Sequence, residues 1–181
     1  MRRVTGPTAH SQSVTSPVEN VRVGGSTRTE LRERLRSHAV LLNAHAETLL
    51  DHPVFELRDA EVIGIVVVRV AELHLETGGT LSEVFAAALD SGLELCPPDT
   101  GPYLRLAMSS QANAPDSVLS AGRSPAGAIK VASERLSDDV EFPTGLYLRV
   151  VDGQQWLRGF RCDDKYRFAP GDRFAFRLQD A

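Results

Sequence analysis

Tyr103-Leu104-Arg105-Leu106 sets a pattern that returns as Tyr147-Leu148-Arg149-Val150 and again as Trp156-Leu157-Arg158-Gly159. In an extended chain successive side chains point to opposite faces, so each copy puts its leucine on one face and an aromatic–arginine pair on the other. Three such strands in one sheet give Leu104, Leu148 and Leu157 to a core. Tyr103, Arg105, Tyr147, Arg149, Trp156 and Arg158 then form an amphipathic outer surface. The second and third copies flank Asp152-Gly153, a dipeptide that tolerates positive φ and marks a hairpin turn.

Further strands extend the pattern outward. Arg173–Leu178 alternates, with Phe174, Phe176 and Leu178 on one face and Arg173, Ala175 and Arg177 on the other. Ala128–Arg135 reads as a short strand with Ile129 and Val131 on one face. Glu61–Leu75 is the strongest strand: β-branched residues dominate it, and its central run is apolar on both faces, as a buried central strand requires.

Helical spacing appears twice. Over residues 29–50, Leu31, Leu35, Ala39, Leu42, Ala46 and Leu49 recur at intervals of three and four, which predicts one amphipathic helix ending before His52-Pro53. The second helix starts at Thr80, where Glu83 completes a capping box, and stops at Gly92. Residues 1–26, rich in Thr, Ser, Pro and Gly, read as a disordered leader. Residues 109–127 read as a long loop, and 27–181 as a single domain. The fold class expected is α+β: a mixed, mainly antiparallel sheet packed on one face by two helices.

Composition narrows the function classes. The chain has 181 residues, 42% hydrophobic and 24% charged, enough for one ordinary core. A net charge of −4 and a pI near 5.7 argue against a general nucleic-acid or membrane-surface protein. The longest apolar run, Val62–Val68, is too short to span a bilayer, and no apolar segment follows Arg2-Arg3 as a signal peptide requires. The cytoplasm is the expected compartment, and Cys96 and Cys162 are expected as two reduced thiols rather than a disulfide.

Catalytic and metal motifs are weak. His38, His45 and His52 recur every seven residues, which puts the first two about 10 Å apart on a helix, too far to share a metal. Gly78-Gly79 lacks the lysine and glycine spacing of a phosphate loop. The carboxylates Asp138, Asp139 and Glu141 have no histidine beside them and read as a solvated turn. No metal or other cofactor is expected.

One segment carries a resemblance. Gly92-Leu93-Glu94-Leu95-Cys96-Pro97-Pro98-Asp99-Thr100-Gly101-Pro102-Tyr103-Leu104-Arg105-Leu106 resembles a signature in short bacterial proteins of unknown function. These carry a similar Leu-Glu-Leu-Cys-Pro run, then Gly-Pro and Leu-Arg-Leu. They are similar again in a final aromatic strand preceded by Asp-Arg, here Asp172-Arg173-Phe174. The match covers about half of the chain. Some such proteins are labelled helicase, which implies at most a nucleic-acid neighbourhood. This chain lacks the P-loop of a helicase motor and is too short for one. No functional residue is carried over.

The functional expectation rests on the aromatic–arginine face. Seven of the eleven aromatic residues lie in 145–178, with seven basic residues against four acidic ones. Rings interleaved with guanidinium groups suit a protein partner, and they also suit stacked bases and phosphates of a single strand. The leading expectation is a non-catalytic interaction module that presents Tyr103, Arg105, Tyr147, Arg149, Trp156 and Arg158 to a protein partner. A single-stranded nucleic-acid accessory protein comes second. A small enzyme with Cys96 or Cys162 as nucleophile and His74 as base comes third.

Overall fold

The computed structural model describes residues 19–117 and 122–179. In chain order the elements are β1 (Glu19–Val23), α1 (Arg28–Ser37), β2 (Leu41–Leu42), α2 (Ala44–Leu50), β3 (Glu61–Arg69), β4 (Gly79–Thr80), α3 (Leu81–Asp90), β5 (Leu93–Glu94), α4 (Thr100–Ala107), β6 (Ile129–Val131), β7 (Gly145–Val151), β8 (Gln154–Phe160), β9 (Arg167–Phe168) and β10 (Arg173–Leu178). The fold is α+β. One sheet runs β1-β3-β10-β6-β7-β8-β2, with β5 on β10, and β4 and β9 form a separate ribbon.

The sheet is mixed rather than mainly antiparallel. β6 lies between β10 and β7, parallel to the first and antiparallel to the second, and β2 runs parallel to β8. Four α-helices take the place of the two expected, and they cover both faces. Leu31 and Leu35 of α1, Ala46, Leu49 and Leu50 of α2, and Tyr103 and Leu104 of α4 pack with Ile65, Ile129, Leu148, Leu157 and Ala175. On the opposite face Leu81, Val84 and Ala88 of α3 pack with Val66, Val68, Phe174 and Phe176. The alternation of β3 and β10 therefore feeds two cores, one per face.

Several expectations are revised. The helix expected over 29–50 breaks at Ala39, whose φ is +52°. Leu41-Leu42 then pairs with Trp156-Leu157, and Asn43 caps α2. The apolar spacing continues through the break, so periodicity cannot register it. The strand expected over 61–75 ends at Arg69 and passes into a 3₁₀ turn, Val70–Leu73. Tyr103-Leu104-Arg105-Leu106 belongs to α4 and is no strand. A four-residue pattern does not separate a period of 2 from 3.6, and Pro102 stands in the first turn, where its missing N–H removes no helical bond.

The leader expected over 1–26 ends earlier, because Glu19–Val23 pairs with β3 and buries Val21 and Val23. Its first 18 residues, like 118–121 of the expected loop, lie outside the described residues. The Thr80–Glu83 capping box forms, with the Thr80 N–H donating to Glu83 Oε2 at 2.8 Å and the Glu83 N–H donating to Thr80 Oγ1 at 3.3 Å. The Asp152-Gly153 hairpin forms too, with φ of +51° and +77° as a type I′ turn demands. No helix among the described residues is long and apolar enough to cross a membrane.

Candidate functional site

The six residues of the expected contact face are not brought together on one outer surface. The β7–β8 register sets Tyr147 opposite Arg158 and Arg149 opposite Trp156, so these four share a face. Tyr147 and Arg149 are nevertheless buried, while Trp156 and Arg158 are half-exposed and stack, with Arg158 Cζ 3.9 Å from the indole centroid. Tyr103 and Arg105 lie inside on α4. The cause is local chemistry: both buried guanidiniums find backbone carbonyls. Arg149 donates from Nε to Ala126 O at 2.8 Å and from Nη2 to Asp116 O at 2.8 Å. Arg105 donates to Gln111 Oε1 at 2.6 Å and to Met108 O. Burial pulls the Arg105 pKa down to about 10, which still leaves it charged at neutral pH.

The cysteine-nucleophile expectation fares no better. Cys96 is buried with its thiol donating to Ala175 O at 3.5 Å, and burial pushes its pKa up to about 12. Burial also raises the pKa of Cys162. A nucleophilic thiolate needs a shift in the opposite direction.

What the fold does build is a cleft of about 430 Å³ on the face that carries Ile65 and Ile129. Ile65, Val67 and Ile129 line its floor, and the 108–112 segment, with Met108 and Gln111, forms a wall. Arg69 of β3 and Arg173 of β10 also line it, directly opposite one another in the antiparallel register. Like charges placed that way repel. Arg69 has Glu72 Oε1 at 3.4 Å, whereas Arg173 donates from Nη2 to a neutral carbonyl, Gly127 O, at 3.1 Å. Glu19, set opposite Ile65 in the register, lines the cleft as well.

The wall is fixed from within. Gln111, held by Arg105, donates from Nε2 to Gly127 O and to Leu148 O, both at 3.0 Å. Arg105 is thus a strut behind a binding surface and does not belong to its outer face. Sequence reasoning missed Arg69 and Gln111. It placed Arg173 on the outward face of the last strand, but nothing in one strand alone tells that Arg69 stands beside it.

No protein-family model, no curated protein and no solved structure matches the chain.

Proposed function

We propose that the chain is an interaction module that receives an acidic–apolar segment of a protein partner in the Arg69–Arg173 cleft. The observation that carries this reading is the pair of arginines set side by side at an apolar floor. A carboxylate between them relieves their repulsion and gains charge-assisted hydrogen bonds, each about 1.5–3 kcal/mol. Apolar side chains of the same segment would cover Ile65, Val67 and Ile129. The protein's net charge of −4, with Glu19 and Glu72 lining the cleft beside the two arginines, is consistent with recognition by this local arginine pair rather than by a general polyanion surface.

A displayed random-peptide library, panned on the full chain, tests the reading. Enriched sequences should combine Asp or Glu with apolar residues, and a selected peptide should lose at least tenfold in affinity on Arg69→Glu but little on Arg69→Lys. An unenriched library, or peptides that bind Arg69→Glu equally, rejects it. The half-exposed Trp156–Arg158 stack keeps the single-strand alternative specific. A labelled oligo-dT that binds the wild type with a steep salt dependence, and that Trp156→Ala releases, would replace the peptide reading.

A further inference from the structure

Ile129 floors the cleft, so Lys130, the next residue of the same strand, points to the opposite face. The chain has 20 basic residues, of which only Lys130 and Lys165 are lysines. Lys130 stands in the middle strand of the sheet at 2% exposure. A guanidinium there would stay charged, whereas a desolvated amine can give up its proton and act as a base.

Its surroundings form a chamber of about 180 Å³, lined also by Ser124, Tyr147, Phe160, Cys162 and Tyr166. The ammonium nitrogen lies 5.3 and 5.4 Å from the centroids of Phe168 and Phe174, and 3.3 Å from Asp172 Oδ1. It is also in hydrogen-bond contact with Ser124 Oγ. Burial lowers the lysine pKa against the opposing pull of Asp172. Ser124 is half-exposed and Lys130 is buried, so their contact joins the mouth of the chamber to its interior.

The turn that follows Ser124 is held from several sides. Pro125–Ala128 is a tight turn closed by the Ala128 N–H donating to Pro125 O at 3.2 Å, with Gly127 at φ +76°. Arg149 donates to Ala126 O, and both Gln111 and Arg173 donate to Gly127 O. Three side-chain donors from three separate segments converge on one four-residue turn, and such over-determination is what a preorganised reacting group needs.

We propose that Ser124 and Lys130 form a nucleophile–base pair that transfers short acyl groups from ester donors to water. The pair lies on the face opposite the cleft and does not rest on the peptide reading, although Gln111 and Arg173 of the cleft also hold the turn beside Ser124. In the first half, Ser124 Oγ attacks the ester carbonyl carbon as the neutral Lys130 amine takes the hydroxyl proton. The tetrahedral intermediate collapses, the ester C–O bond breaks, and the Lys130 ammonium returns that proton to the departing alkoxide. In the second half, water attacks the seryl ester as Lys130 takes its proton. Collapse then frees the carboxylic acid and the proton goes back to Ser124 Oγ. A chamber of about 180 Å³ suits an acyl group of a few carbons.

The experiment treats the full chain with a fluorophosphonate probe, and separately with p-nitrophenyl acetate, and locates the adduct by peptide mass spectrometry. Wild type should be modified on Ser124, faster as pH rises and Lys130 loses its proton. Ser124→Ala should abolish the adduct. Lys130→Arg, which keeps the charge, and Lys130→Met, which keeps the bulk, should each slow modification about 10²-fold or more while urea midpoints confirm folding. No adduct on Ser124, or one that forms equally fast in a folded Lys130→Arg or Lys130→Met protein, overturns the proposal. Should both lysine variants fail to fold, Ser124→Ala on its half-exposed turn still decides: probe or ester turnover equal to wild type overturns it.

Discussion

At the scale of single residues, Lys130 and Cys96 impose opposite pH dependences on stability. Burial lowers the folded-state pKa of Lys130 below its ordinary 10.5. Between the lowered value and 10.5 the unfolded chain therefore holds more protons, and stability rises with pH across that window. Burial raises Cys96 from 9.0 to about 12. Between those values the folded state holds the extra proton, so stability falls as pH climbs from 9, by up to about 1.4 kcal/mol per pH unit. Difference measurements separate the two. Urea denaturation at pH 8, 9 and 10 should show wild type gaining on Lys130→Met with rising pH and losing to Cys96→Ala above pH 9. Differences that stay flat across those pH values would show that neither side chain is desolvated as described. Neither environment can be read from the sequence. Lys130 sits in the short stretch Ala128-Ile129-Lys130-Val131-Ala132, and only Phe168, Phe174 and Asp172, brought in from the last strands, make it special.

At the scale of elements, the most informative departure is the end of α1. The Val40 N–H donates to Leu35 O at 3.0 Å and the Ala39 N–H to Arg36 O at 2.9 Å, the two bonds of a Schellman motif. Val40 and Leu35 are buried together, as that motif favours. Glycine normally occupies the left-handed position, and here alanine does at φ +52°. Ala39→Gly should raise stability by about 0.5–1 kcal/mol, the relief of the left-handed alanine less the extra freedom glycine has when unfolded. A lower urea midpoint in the variant would refute this. The missing glycine also explains why residues 29–50 look like one helix: the apolar spacing is unbroken and the usual stop residue is absent. Where the local chemistry is explicit, the elements are legible, as with Thr80–Glu83 and Asp152-Gly153. Arg105 and Arg149 misled for a different reason. Arginine is usually exposed, and the carbonyls that accept from these two lie on loops whose path no local pattern encodes.

At the scale of the whole molecule, Asn43 ties the start of α2 to the β7–β8 hairpin. The Asn43 side chain accepts from the Ala46 N–H at 2.9 Å as the α2 cap, accepts from the Gly159 N–H at 2.8 Å, and donates to Gly159 O at 2.9 Å. A side chain thus continues the pairing of β2 with β8 by one more rung. Gly159 permits the approach: a Cβ there would stand 2.6 Å from the His45 carbonyl carbon and 2.8 Å from Ala46 N, backbone atoms that cannot turn aside. Gly159→Ala should therefore lift α2 off the sheet and cost about 1–3 kcal/mol. Gly153→Ala in the same hairpin, where a Cβ meets nothing within 4 Å, should cost only the roughly 1 kcal/mol of its positive φ. Asn43→Ala removes a cap and two long-range bonds, and should cost about 2–3 kcal/mol. Both Asn43→Ala and Gly159→Ala cut the same link, so the double variant should lose less than their sum. Strict additivity in urea denaturation, or a Gly159→Ala protein no less stable than Gly153→Ala, would mean that α2 is held by its apolar face alone. If the losses instead overlap, this rung is what seats Leu49 and Leu50 against Leu148 and Leu157, and with them the core beneath the cleft.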